Sequence, residues 1–433
     1  MNNKYLSIIS KRLKTIFSEE TINELGKTVR FSRRNRAITP YRLALAFMEA
    51  LASSKVESIA DLQRGFNALF GVNVQYKPFH NQLAKANFSE FMRHLFVTLL
   101  EQLANRALSF DSDSPFSRFK HIILQDGTSF AVHPALQDTY PGRFRTISPA
   151  AVELHVSMDL LCESVEQVVL TPDCEAEAQF LPDPTTLSNC LVMGDRGYFK
   201  KDYFAQLIEN QAFFIMKGKS NITPLVTRVI TADGKDIKTW RDKPLKELKG
   251  KLRKNGSMDM DVQWHERGKL ILCRLIVTWN PETKAYQYLV TNLPREEFSI
   301  SDIIDGYRLR WQIELLFKEW KSYANLSAFN TRKDGIMEGL IWGSLCAATL
   351  KRFFAHMAQK LSEKAISTRK VTMCLRYYLT DIIKAIIHGR RNLNKILDAA
   401  FTYLSFNAIR DNLRRDNESG RAKLGLKHDY SFA

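Results

Sequence analysis

The chain has 433 residues, a formal net charge of +17 and 45% hydrophobic content. That length exceeds what one hydrophobic core serves and predicts two or three domains, while 27 Phe and 14 Tyr with 25% charged residues exclude a disordered chain. Charge is unevenly placed: residues 1–120 carry 18 basic and 10 acidic side chains, 121–321 carry 26 and 27, and 322–433 carry 19 and 9. Basic flanks around a neutral centre predict a polyanionic partner gripped from both sides, with acidic chemistry between them. The uncharged apolar run 339–350 falls short of the ~20 residues a membrane helix needs and reads as a buried helix. The first residues form an amphipathic, Lys- and Arg-bearing segment without a signal core, so a cytoplasmic protein is expected. Six widely spaced cysteines without a C-x-x-C pair read as reduced packing residues.

Residues 1 to about 110 read as helical. Thr39 and Pro40 supply an N-cap and a first-turn proline, with Leu43, Phe47, Met48 and Leu51 following at helical spacing. Ser58 and Asp61 predict a capping box opening a helix over 59–69 that Gly71 ends, and another helix is expected over about 78–85. The pair outlines either a DNA-binding helix-turn-helix, with His80, Asn81, Gln82 and Lys85 on its second member, or an ordinary helical hairpin. The texture changes near residue 118. Residues 121–125 (H-I-I-L-Q) are an apolar run reaching Asp126-Gly127, and 152–161 with 165–170 predict a hairpin about Cys162-Glu163-Ser164. Residues 190–194 (C-L-V-M-G) reach Asp195, and a helix over 201–209 leads to a strand over 212–216, an α/β pattern with a mixed sheet. Strand-like runs 258–264, 270–279 and 285–291 read as a β-meander inserted in that core. From Ser301 the chain is helical to about 411, and the polar tail from Arg414 is expected to be mobile. The basic runs 246–254 and Arg33-Arg34-Asn35-Arg36 are either solvated faces or phosphate contacts.

Residues 305–321 (D-G-Y-R-L-R-W-Q-I-E-L-L-F-K-E-W-K) carry the most information. Read as one helix, they place Tyr307, Arg310, Lys318 and Lys321 within roughly 40° of Glu314, beside a packed stripe of Leu309, Ile313, Phe317 and Trp320. A carboxylate flanked by cations and a phenol suits a metal with phosphates gripped alongside. The bland alternative is a solvated face pairing Arg310 to Glu314 and Glu314 to Lys318. Asp126 and Asp195 each follow an apolar strand, where a carboxylate emerges at the sheet edge, although an Asp beside Gly also serves plain turns. Three acids on two strand ends and one helix are what two-metal phosphoryl transfer requires, and hard oxygen ligands suit Mg2+ or Mn2+. Asp159 and Asp202 are alternative ligands, and His121, His133 and His155 read as structural.

The spacing Tyr307-x2-Arg310-x3-Glu314-x6-Lys321 resembles the Y-R-E-K signature of bacterial insertion-sequence transposases of the insertion sequence 4 type. The resemblance extends over Asp126-Gly127-Thr128, residues 193–198 (M-G-D-R-G-Y) and 289–293 (L-V-T-N-L). It implies an RNase H-like mixed-sheet catalytic core of the α/β class with a D-D-E triad and a β-rich insertion, flanked by helical domains. Together with the elements it predicts a helical DNA-binding domain over 1–117, a core over 118–216 and 299–330, an insertion over 217–298 and a C-terminal helical region over 331–433. By the resemblance Asp126, Asp195 and Glu314 bind two Mg2+ or Mn2+ ions. Tyr307, Arg310 and Lys321, with Lys318 on the same stripe, contact DNA phosphates and a base flipped from the transposon end. In some relatives an aromatic of the insertion stacks on that base, a role open to Tyr286, Tyr288 or Trp279, although each of the three reads better as packing the β-meander. The implied protein is a transposase that cuts its element's ends and joins them to target DNA, working as a homodimer on double-stranded DNA in the nucleoid, with no membrane partner. An RNase H-like nuclease or resolvase without joining activity, and a non-catalytic DNA-binding descendant, are the competing readings.

Overall fold

The computed structural model describes residues 3–32, 37–53, 56–252, 256–323, 325–326, 330–389, 392–411 and 420–432. The run Arg33-Arg34-Asn35-Arg36, part of the basic run 246–254 and tail residues 412–419 lie outside the described residues. The chain opens with helices α1 (Asn3–Ile16), α2 (Glu19–Thr28), α3 (Pro40–Ser53), α4 (Ile59–Phe70), α5 (Tyr76–Leu83) and α6 (Phe88–Leu103). Local chemistry sets their ends. The Thr39 hydroxyl accepts from the Arg42 N–H at the head of α3, and Ser58 and Asp61 close a reciprocal capping box on α4. Gly71 ends α4 in the left-handed region at φ +63, which a residue with a Cβ adopts only at a cost. Helix α5 starts two residues ahead of the expected Pro78, because a first-turn proline lacks only an N–H that has no partner inside the helix.

Two sheets follow. Strand β1 (Leu108–Phe110) pairs antiparallel with β12 (Leu426–His428), so the end of the polar tail is pinned where mobility was expected. The larger sheet contains β2 (Ile122–Ala131), β3 (Ala151–Asp159), β4 (Ser164–Pro172), β5 (Leu191–Gly194) and β6 (Phe213–Lys217), with α7 (Lys201–Glu209) between the last two. Beyond them come β7 (Leu225–Thr231), β8 (Lys243–Pro244), α8 (Leu245–Leu252), β9 (Met258–Glu266), β10 (Lys269–Asn280) and β11 (Ala285–Thr291). In space the order is β4-β3-β2-β5-β6-β11-β10-β9-β7-β8. Its first five strands run 3-2-1-4-5 in core order, with an antiparallel meander of three and then two parallel strands, which is the RNase H-like arrangement. The inserted strands do not form a separate sheet. They extend the core sheet through β6 and β11, where Leu289 pairs with Lys217.

After the sheet come α9 (Ile300–Arg308), α10 (Trp311–Tyr323), α11 (Asp334–Lys360), α12 (Thr368–Cys374), α13 (Arg376–His388) and α14 (Leu393–Asn407). The apolar run 339–350 is the buried middle of α11, and no described helix is long and apolar enough to cross a membrane. Helices from both ends of the chain share one core: Ser89 donates to Glu338, Thr380 donates to Glu49, and residues from α1 to α14 belong to one buried cluster. Strand alternation divides the sheet between two cores. Ile122, Leu124, Leu191, Met193 and Ile215 face the helices, while Ile123, Val192, Phe214 and Met216 face α7 and the inserted strands.

Candidate active site

That two-residue period aims the site. Asp126 shares its parity with Ile122 and Leu124, Asp195 with Leu191 and Met193, and Lys217 with Ile215, so all three belong to the face that the helices cover. Parallel pairing of β2 with β5 sets Gln125 beside Gly194 and makes Asp126 and Asp195 neighbours. Over the same face lies α10, buried through Ile313, Leu316 and Phe317, which brings Glu314 across from the two aspartates.

One guanidinium joins two of these acids. Arg310 donates from Nη1 to Asp126 Oδ2 at 2.6 Å and from Nη2 to Glu314 Oε1 at 2.8 Å. Asp195 is held separately: the Tyr307 hydroxyl donates to its Oδ1 at 3.3 Å, and Lys217 Nζ lies 3.5 Å from the same oxygen. Burial raises the Asp126 carboxyl, with the Arg310 charge opposing that shift. Burial also acts to raise Asp195, but a hydrogen bond from the Arg196 N–H and the charges of Lys217 and Arg310 outweigh it and hold the group low. For Arg310 burial works against the charge, yet Asp126, Tyr307 and Glu314 hold it more firmly charged than usual. The Tyr307 phenol is pushed up, chiefly by burial, and stays a hydrogen-bond donor.

The single helix read across 305–321 is broken in the structure. Helix α9 stops at Arg308 and α10 starts at Trp311, joined by a turn in which Leu309, Arg310, Gln312 and Ile313 each donate to the carbonyl three residues back. Tightening from i→i+4 to i→i+3 bonds turns the chain between Tyr307 and Glu314, so an ideal wheel misplaces residues across it. The Arg310–Glu314 pair forms, whereas Lys318 lies over the Trp311 ring at 5.1 Å and makes no ion pair with Glu314 among the described residues. Lys321 reaches back to β2 and donates to the Ser129 carbonyl at 2.9 Å. Asp159 is occupied elsewhere, accepting from His121 and from the Ile122 and Leu161 N–H groups, and Asp202 pairs with Arg267. Of the insertion's aromatics, Tyr288 is buried, while Tyr286 packs edge-on to Trp279 and donates its hydroxyl to the Lys249 carbonyl.

Two residues at the site went unread. Lys217 ends the apolar run F-F-I-M just as the aspartates end theirs, so the same strand-end signal would have found it. Trp311 adjoins Arg310 and is 50% exposed, an unusual state for the largest side chain. A third, Glu153, stands beside the strand of Asp126. It is buried on β3, touches Arg143 at 3.2 Å and is pushed up to about 7 by burial and by Glu177.

In this arrangement no three His, Cys, Asp or Glu side chains among the described residues stand close enough together to hold a metal, and Arg310 lies between Asp126 and Glu314. The donor set nonetheless fits a divalent ion: the acids are hard oxygen ligands on separate rigid elements, and two of them already converge on a cation, the guanidinium.

Residues 117–350 match the model of the transposase DDE domain, a family whose chemistry uses divalent metal. The chain is 22% identical to the transposase for insertion sequence element IS1151 of Clostridium perfringens, across 92% of each sequence. It is also 22% identical to the transposase for IS231C of Bacillus thuringiensis subsp. berliner, covering 98% of this chain and 96% of that one. Among solved structures, the cryo-EM structure of the piggyBac transposase synaptic complex with hairpin DNA aligns with 95% of this chain and 88% of its own at a TM-score of 0.49 and 13% identity. With the matched region running from ahead of the strand of Asp126 to beyond the helix of Glu314, the chain belongs to the DDE transposase family.

Proposed function

We propose that Asp126, Asp195 and Glu314 are the acids with which this DDE transposase cuts DNA at its element's ends and joins the 3′ ends to target DNA. One observation carries the reading: a single arginine gathers Asp126 and Glu314 from a strand and a helix, with Asp195 on the adjoining strand end. Two Mg2+ or Mn2+ ions held by the three acids would activate the attacking oxygen and stabilise the leaving one. The chain's own groups do the rest. Arg310 would turn its guanidinium from these carboxylates to a phosphate of the bound strand. Tyr307 keeps its proton and orients Asp195 through its hydroxyl. Lys217, Lys318 and Lys321 supply positive charge around the strand, so binding weakens with salt.

The same reading takes 1–117 as a DNA-binding domain, 118–216 with 299–330 as the catalytic core, 217–298 as its insertion and 331–433 as a C-terminal helical region. The exposed polar side of α5, with Asn81, and the exposed Lys85 two residues past its end support a helix-turn-helix role for α4 and α5. We take the working form to be a homodimer on paired ends, acting on the chromosome in the cytoplasm. The testing experiment incubates the protein and Mg2+ with supercoiled plasmid bearing the DNA that flanks its coding sequence. Nicking at the ends followed by joining is expected from the native chain, and Asp195→Ala should bind the ends without cutting. Cutting without any joining of pre-cut ends would favour a nuclease instead.

A further inference from the structure

The turn that parts α9 from α10 is held from outside. Gln312 donates its N–H to the Leu309 carbonyl within that turn, and its side-chain Oε1 accepts from Arg421 Nη2 at 2.5 Å. Arg421 belongs to the short helix Gly420–Lys423, which also packs against α9. The same Nη2 donates at 2.9 Å to Oε1 of Glu163, in the turn between β3 and β4. About two turns on along the same face of α10, Glu319 accepts from Arg352 Nη2 at 2.8 Å, and Arg352 Nη1 donates to the Glu163 carbonyl at 3.0 Å. Two arginines from distant parts of the chain thus grip one face of α10 and meet at one glutamate. Glu163 sits at φ +45, a region that a residue with a Cβ enters at a cost and keeps where surrounding contacts over-determine it. Burial acts to raise its carboxyl, but His356, Arg421 and Arg352 outweigh it and hold the group well below its ordinary value.

Building on the transposase reading above, we propose that Arg421 is a positioning residue for α10: it fixes the first turn of that helix and so where Arg310 and Glu314 stand relative to Asp126. Bonds of the i→i+3 kind have poorer geometry than those of a regular helix, so a turn built from them keeps its shape best when tied from outside. Gln312 lies midway between Arg310 and Glu314, and the tie from Arg421 acts there. The segment bearing Arg421 is anchored independently of α10, since β12 pairs with β1 and Lys427 pairs with Asp111 on the exposed side. Carboxylate ligands hold an ion tightly only when their own orientation is supported, so loosening this turn weakens metal binding while leaving DNA binding intact.

The test uses the full chain and a duplex copied from the DNA flanking its coding sequence. Initial cutting rates are followed against Mg2+ concentration, and end binding is measured in EDTA. Arg421→Ala should need about tenfold more Mg2+ for half-maximal cutting, with end binding within about twofold of the native chain. Gln312→Ala, which leaves Arg421 paired with Glu163, should shift the Mg2+ requirement to the same extent, and combining the two should add nothing to either. Arg421→Lys, which keeps a charged donor, should recover most of the shift. Lys427→Ala loosens the same segment away from α10 and should leave the Mg2+ requirement native. An unshifted requirement in Arg421→Ala or Gln312→Ala, an equal shift in Lys427→Ala, or cutting and end binding lost alike overturns the proposal. A native chain that fails to cut at any Mg2+ concentration would instead remove the transposase reading beneath it.

Discussion

Replacing Arg310 with alanine removes a cation that Asp126 and Glu314 share. The Arg310 side chain is 11% exposed and its partners are 20% and 27% exposed, so the pair is half-sheltered rather than buried. Two hydrogen bonds to charged groups are worth about 1.5–3 kcal/mol each, an upper bound of roughly 3–6 kcal/mol. Both carboxylates can rehydrate once the arginine is gone, which reduces the loss to about 2–3 kcal/mol. In a chain of this size that lowers the melting temperature by about 2–5 °C in EDTA at neutral pH. Metal should then reverse the order of effects. A ligand at about 100 times its Kd stabilises the folded state by about 2.7 kcal/mol, and in Arg310→Ala it meets carboxylates with no competing guanidinium. Scanning calorimetry of both proteins in EDTA and in Mg2+ makes the comparison. Mg2+ should raise the variant by more than it raises the native chain. Equal melting temperatures in EDTA, or equal Mg2+ shifts, would refute the idea that Arg310 stands in for a cation between these acids.

Three further outcomes follow from other contacts. His155 is buried and its pKa is lowered to about 4 by burial and by Arg143, so its contribution to stability is lost as pH falls from about 6.5 towards 4, by about 3 kcal/mol. Glu153, raised to about 7, acts in the opposite sense, since stability falls as pH rises from about 4.5 to 7. Urea midpoints of the native chain should therefore change little across pH 4.5–6.5 on account of this pair, and Glu153→Gln should uncover a rise with pH; a flat profile in that variant contradicts the assignment. In Gly306→Ala the new Cβ would stand 2.6 Å from Phe116 Cζ, forcing α9 off the sheet and Tyr307 away from Asp195. A loss of about 1–3 kcal/mol is expected, with cutting reduced more than DNA binding, and an unchanged cutting rate argues against Tyr307 as the residue that orients Asp195. Asp259 accepts from both Arg274 and Arg295 beside the end of β11, and Asp259→Ala leaves Arg274 charged and 6% exposed. That should cost about 3–5 kcal/mol by thermal melting, and a cost near zero would show that water reaches the guanidinium.

The parts legible in the sequence are those fixed by neighbouring residues. Ser58 and Asp61 announce a helix start because a capping box needs only four residues, and it forms as written. Asp126 and Asp195 stand out because each follows a run of apolar residues, and strand alternation alone puts both on one face. What was not legible depends on distant partners. Residues 285–291 read correctly as a strand, but nothing local says that its partners are β6 and β10 within the core sheet. The shared core of the N- and C-terminal helices is equally non-local. The break at Leu309 and Arg310 was hidden because the apolar spacing continues through it. Gly306 lets α9 lie against Phe116 and Ile215 while Ile313 and Leu316 bury α10, and the tightened turn joins the two packings.

The claim on which the chemistry rests is that Asp126, Asp195 and Glu314 ligate ions at one centre. Replacing Mg2+ with Fe2+ and generating hydroxyl radicals with ascorbate and peroxide cuts a polypeptide close to where the iron sits, and mass spectrometry locates the cuts. On the end-bound protein, cuts are expected around residues 126, 195 and 314 together, suppressed by excess Mg2+ and lost in Asp126→Ala. Cuts at only one of the three sites, or an unchanged pattern in that variant, would contradict a shared centre.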